Sequence, residues 1–174
     1  MRFLIGIALI AALSPIAQQK PARTPDIHFT PTRYIIADSM LKLANVGPDD
    51  IVYDLGSGDG RIPIIAAQKY GARGVGIEID PTLVSMSWLN ANQAEVANRV
   101  SFIVGDVFER DFSKATVVTA YLSSTMMRML EPRLRALKPG SRIVSHQFEI
   151  PGWKPDKKIK VDEADLMLWI VPKR

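Results

Sequence analysis

The chain contains no cysteine, and its 174 residues include only two histidines, His28 and His146, far apart in sequence. The first absence excludes disulfides, CxxC redox chemistry and thiolate metal sites. The second leaves no histidine-rich metal centre to expect. There is also no arginine-rich run and no basic stripe interleaved with aromatics. The net charge of +4 therefore reads as a lysine-rich surface and gives no strong nucleic-acid signal. No internal repeat and no low-complexity tract is present. With 47% hydrophobic and 23% charged residues, the composition is that of one globular domain with a real core.

Nor is there an apolar run of the roughly 20 residues that span a bilayer comfortably. The nearest is residues 3–13, apolar without interruption after Met1-Arg2, or 3–17 if extended through Ser14-Pro15-Ile16-Ala17. A basic start, a short apolar stretch and small Ala17 read as a signal peptide, although Pro15 stands where a small residue is preferred. A short signal anchor is the competing reading. A buried N-terminal helix is disfavoured because the run has no polar face. Residues 1–17 are thus expected to target or anchor the chain, making it membrane-associated if retained and exported if cleaved. Lys20, Arg23 and Arg33 follow the run and Arg2 precedes it, so charge does not choose an orientation. Residues 18–29, with Pro21 and Pro25, read as an extended linker, and residues 30–174 as the domain.

Within the domain, Thr30-Pro31 reads as a helix start, threonine capping and proline at the first helical position. The spacing predicts a helix over 31–46 that buries Ile35, Met40, Leu41 and Ala44 and stops at Gly47-Pro48. Strands and helices then alternate: strands at 51–55, 74–79, 100–104, 116–121 and 142–148, and helices at 61–70, 81–97 and 124–137. Two further β-rich runs, 157–161 and 166–171, are joined through residues 162–165 as a hairpin. Alternation implies an α/β fold with a mostly parallel seven-stranded sheet, helices on both faces and a C-terminal antiparallel hairpin.

The chemistry is concentrated where strands end. Val52-Tyr53-Asp54-Leu55-Gly56-Ser57-Gly58-Asp59-Gly60-Arg61 places a GxGxG turn between a strand and a helix, where backbone can approach a ligand and helix-terminal amides face it. This is not the GxGxxG of dinucleotide sites, which disfavours a nicotinamide enzyme. Asp54, followed by Asp59, suits a ligand with ammonium and sulfonium character better than a pyrophosphate. In Gly74-Val75-Gly76-Ile77-Glu78, 24 residues after Asp54, Glu78 ends a strand and is placed to accept ribose hydroxyls. Asp106, after the strand ending at Val104, is placed to accept an adenine amine, with Val107 and Phe108 packing on the base. Any one of these acids reads equally well as a solvated loop carboxylate; three at successive strand ends are harder to dismiss.

On these stretches the sequence resembles the class I S-adenosylmethionine (SAM)-dependent methyltransferases, of Rossmann-like fold. More narrowly, it is similar to the small lysine methyltransferases that modify the ATP synthase c-subunit and the adenine nucleotide translocase, and to their bacterial relatives. The narrower likeness rests on 54–62, 74–78, the stretch 145–153 with Pro151-Gly152-Trp153, and 26–32, and extends from about residue 26 to the C-terminus. The resemblance implies SAM as cofactor, held by Asp54, Gly56, Ser57, Gly58, Gly60, Glu78, Asp106 and Val107. It implies a protein lysine as methyl acceptor, and an N-terminal apolar segment that brings the enzyme to membrane-embedded substrates. SAM is a cytosolic product, so an exported domain would conflict with that activity. Two alternatives therefore stand: a small-molecule or RNA methyltransferase, and a non-catalytic exported binding module. The absence of an NPPY-type motif weighs against methylation of the adenine amino group. Tyr121, after the fourth strand, either lines the acceptor channel or packs at the strand end. His146 reads as a hydrogen-bonded core or edge residue rather than a base. Met86, Trp88 and residues 126–129 read as helix packing.

Overall fold

A computed structural model describes residues 28–173; the apolar segment 1–17 and most of the linker lie outside the described residues. Four helices and seven strands follow one another as α1 (Tyr34–Leu43), β1 (Ile51–Leu55), α2 (Arg61–Tyr70), β2 (Arg73–Glu78), α3 (Pro81–Gln93), β3 (Val100–Val104), β4 (Val117–Ala120), α4 (Ser124–Arg135), β5 (Arg142–His146), β6 (Lys157–Val161) and β7 (Ala164–Ile170). They form one sheet of order β3-β2-β1-β4-β5-β7-β6. The first five strands are parallel, and β7 runs antiparallel to both β5 and β6.

Side-chain alternation along each strand divides the interior into layers. Tyr53, Leu55, Val118, Ala120, Ile143, Met167 and Trp169 face the layer built on α4, with Met127, Leu130 and Leu134. Their neighbours Val52, Val117, Val144, Leu166 and Leu168 face α1 and α2, through Ile36, Met40, Leu41, Ile62 and Ile65. A third cluster seats α3 and α2 on β3 through Val84, Ala91, Ile64, Val100 and Phe102. The sheet is therefore covered on both faces, as the near-continuous hydrophobic runs of its parallel strands require.

The helix over α2 falls where the sequence placed it, and Asp80 caps α3 through its side chain on the Thr82 amide, 2.7 Å away. The first helix does not. It begins at Tyr34 rather than at Pro31, its N-cap is Arg33, and no side chain caps it. Tertiary contacts override the Thr30-Pro31 signal. The Thr32 carbonyl accepts a hydrogen bond from Arg61 Nη1 at 2.6 Å, and Thr32 Oγ1 turns toward His146. Residues 28–33 thus run as an extended strap across the C-terminal ends of the strands. The shift also moves the buried face: Ile36 is buried, whereas Ile35, expected inside, is 59% exposed. Smaller corrections concern Met86 and Met129, which are exposed rather than buried in the helix packing, and the last hairpin, whose connection is only Asp162-Glu163 because Ala164 already pairs with Val161.

Candidate active site

Strand order reverses between β2 and β4 on either side of β1, so the loops leaving β1 and β4 diverge and open a crevice at their carboxyl ends. A cavity of about 410 Å³ lies there. Its walls come from the strap, the glycine loop after β1, the ends of β2 and β3, and the β4–α4 loop. That size suits a nucleoside-containing ligand.

The glycine loop is held from both sides. The amides of Gly56 and Ser57 donate to the Ile77 carbonyl at 2.9 and 3.1 Å, and the Gly60 amide donates to Ser57. From α3, Ser87 Oγ donates to the Gly58 carbonyl and Asn90 Nδ2 to that of Asp59. Gly56, Gly58 and Gly60 all have positive φ, a region other residues enter only with strain. Close approach restricts them further: a Cβ would stand 2.9 Å from Leu122 on Gly56, 2.2 Å from the Phe29 ring on Gly58 and 2.6 Å from Phe102 on Gly60.

Glu78 fastens this loop to the next. Its Oε2 accepts from the Gly58 amide at 2.9 Å, while Oε1 accepts from Ile79 and Asp80 at 2.8 and 3.0 Å. Asp54 is buried, and its Oδ1 accepts a 2.7 Å bond from Thr119 Oγ1. Burial pushes its carboxyl up to about 7; the Thr119 bond works against this, and the Glu78 and Asp59 charges add to it. Asp59 is held by the Arg61 guanidinium through contacts of 2.8 and 2.5 Å, so this cavity arginine is committed to another acid. Asp106 Oδ1 accepts from the Phe108 amide, fixing the turn after β3.

Of the residues singled out in the sequence, Asp54, Gly56, Ser57, Glu78, Asp106, Val107 and Tyr121 line one cavity. Gly58 and Gly60 are not among its lining residues; they shape the loop from behind, Gly58 through Glu78 and Gly60 as the left-handed N-cap of α2. Phe108 packs against the core on the α4 side rather than lining the cavity. The strap residues His28, Phe29, Thr30, Pro31 and Thr32 also form a wall, as do Leu83, Leu122 and Phe148. Sequence reasoning assigned the first two to a linker and the next three to a helix. The signal that could have found them is the match of 26–32 to a segment upstream of a catalytic domain.

Comparison with known proteins decides the family. Residues 54–157 match the profile described as the ANTKMT methyltransferase domain. The chain belongs to that family. It is a SAM-dependent methyltransferase. A protein-lysine N-methyltransferase of Saccharolobus islandicus is 44% identical over 82% of this chain and 89% of its own length. A lysine N-methyltransferase of Xenopus laevis, named for the ATP synthase c-subunit, is 34% identical over 86% of this methyltransferase, which spans 66% of that longer protein. Among solved structures, one described as an RNA methyltransferase from Salinibacter ruber, bound to S-adenosyl-L-homocysteine, superimposes with a TM-score of 0.82 at 48% identity. It covers 83% of this chain and 95% of its own.

The residues present fit SAM on chemical grounds. Asp54, Asp59, Glu78, Asp80 and Asp106 give the cavity five carboxyl side chains against Arg61 and His28, a balance suited to a cationic ligand. Ser57 lines the cavity, and its buried Oγ, packed against Gly76, has no hydrogen-bond partner.

Proposed function

We propose that this methyltransferase modifies lysine side chains of proteins, with its acceptor at or near a membrane. The observation that carries the first part is the 44% identity, over nearly the whole of both chains, to a protein-lysine N-methyltransferase. The second part is supported by the apolar segment 3–17 and by relatives named for the ATP synthase c-subunit. No helix among the described residues is long and apolar enough to cross a bilayer, so membrane association is assigned to that segment.

Asp54 and Ser57 would hold the amino-acid end of SAM, Glu78 the ribose hydroxyls and Asp106 the adenine amine, with Val107 and Leu83 beside the base. Bound SAM supplies an electrophilic methyl group, and the enzyme's own task is to bring a neutral amine in line with it. The far wall, made by Tyr121, Leu122, Met126 and Phe148, is apolar enough to strip water from an entering lysine. Desolvation lowers an amine's pKa and so favours the neutral nucleophile.

The Salinibacter ruber relative favours a second reading, an RNA acceptor. One experiment separates the two. The full chain is incubated with methyl-labelled SAM and, separately, with membrane proteins, soluble proteins and total RNA, and the hydrolysates are analysed. Methyl-lysine from the membrane fraction is the expected result. Label in nucleosides alone would overturn the lysine reading, and methyl-lysine confined to soluble proteins would overturn the membrane part.

A further inference from the structure

Part of the cavity wall is aromatic. Tyr121, just beyond β4, and Phe148, just beyond β5, both line it, with ring centroids 6.1 Å apart and planes within 24° of parallel. Tyr121 also stacks on the imidazole of His146, at 3.9 Å between centroids and 29° between planes. His146 is not itself among the lining residues; it is the last residue of β5 and is buried. Its Nδ1 lies 3.5 Å from Thr32 Oγ1, and Thr32, through its carbonyl on Arg61, belongs to the strap that forms another wall of the cavity. The imidazole therefore stands between a wall residue of β4 and the strap, with one contact to each.

We propose that His146 is a positioning residue for the methyl acceptor. By stacking on Tyr121 and meeting Thr32 it fixes the aromatic wall relative to the strap, and so sets the width of the channel that admits a lysine side chain. This rests on the lysine reading above. A lysine presents four methylenes and a charge, and a fixed aromatic face accommodates both, whereas a ring free to turn gives up part of that contact.

The arrangement needs a neutral imidazole. Its Nδ1 can then accept from the Thr32 hydroxyl, and no charge stands behind Tyr121 to repel an incoming ammonium. Burial, and secondarily the Arg33 charge, hold His146 below its ordinary value of 6.5. The charged groups on the elements around it are Arg33, which is paired with Asp162, and Asp165 and Glu149, which both pair with Lys158. Tyr121 is the titratable group in direct contact with it.

The test uses the full chain, saturating SAM and poly-L-lysine as acceptor. His146→Ala is expected to raise the acceptor KM about tenfold, the worth of one aromatic stack. The SAM Kd by calorimetry stays within about twofold, as expected for a residue that does not line the cavity. His146→Phe, which keeps a ring under Tyr121, restores most of the acceptor KM. In that variant log kcat/KM climbs with pH at slope 1, because only the lysine must lose a proton; in the wild type it steepens to slope 2 below the histidine range. Equal acceptor KM in His146→Ala and wild type would overturn the proposal, as would a SAM Kd that worsens in step with it, or identical slopes in wild type and His146→Phe. If His146→Ala does not fold, His146→Phe and Thr32→Val carry the test, the latter expected to raise the acceptor KM. A wild type that binds SAM yet leaves poly-L-lysine unmodified would instead remove the lysine reading itself.

Discussion

Replacing Asp54 by asparagine should make the ligand-free protein more stable while removing its cofactor. The carboxyl is buried, bonded to Thr119, and raised from 3.8 to about 7. A carboxyl held higher in the folded than in the unfolded state binds its proton more tightly when folded, so stability is lost as pH rises between the two values. The full difference corresponds to about 4 kcal/mol, reached once pH exceeds about 7, and to about 2 kcal/mol near pH 5. Asparagine keeps an oxygen for the Thr119 hydroxyl and carries no charge to strand. Urea unfolding without ligand at about pH 8 and about pH 5 measures both figures, which are upper bounds because the buried site can relax. The expected pattern is a gain for Asp54→Asn of a few kcal/mol at the higher pH that shrinks by about half at the lower. Saturating SAM should then narrow the gap, adding about 2.7 kcal/mol to the wild type at a hundred times Kd and little to the variant, enough to reverse the ranking only near about pH 5. A variant no more stable than wild type at about pH 8, or a gain that does not fall with pH, would refute the reasoning that this carboxylate is a stored electrostatic cost.

The same group should make cofactor binding release protons. At about pH 6 an Asp54 that titrates near 7 is about nine-tenths protonated, so a cation that ionises it expels about 0.9 proton, read from calorimetric enthalpies in buffers of different ionisation heat; release near zero refutes this. Glu78→Gln should reduce that release, because the Glu78 charge helps raise Asp54, and should cost about 1–3 kcal/mol by turning an amide donor toward the backbone amides of Gly58, Ile79 and Asp80. Gly60→Ala should cost about 3 kcal/mol from left-handed strain and the collision with Phe102 and Ser87. Gly47→Ala, with nothing within 4 Å of its added Cβ, should be nearly neutral, and equal melting of the two variants would contradict the packing argument.

The sheet was legible because period-2 and period-3.6 patterns are written locally, and α2 and β1 were placed to the residue. Asp54, Glu78 and Asp106 were legible for the same reason: each stands at a strand end that the pattern locates. The strap was not. Thr30-Pro31 carries a helix-start signal, and what cancels it is a carbonyl taken by Arg61, 29 positions later, and a hydroxyl turned toward His146, 114 positions later. No window on the sequence contains those partners. Gly58 and Gly60 show the converse: spacing located the turn correctly but could not say that Glu78 occupies the Gly58 amide, or that Gly60 faces α3 and β3 through Ser87 and Phe102. The stacking of Tyr121 on His146 was likewise invisible, since one follows β4 and the other ends β5, strands that touch only in the folded sheet.

The strap has a consequence for where this domain can be cut. The family profile begins at residue 54, yet one wall of the cavity is made by residues 28–32. A fragment trimmed to the profile match would lose α1 from under the sheet and leave the cavity open along one side. Chimaeras that exchange catalytic units between relatives face the same hazard, because the strap that walls the cavity lies upstream of the profile match. An exchange should therefore be joined upstream of His28, so that the doorway and the room behind it come from the same parent.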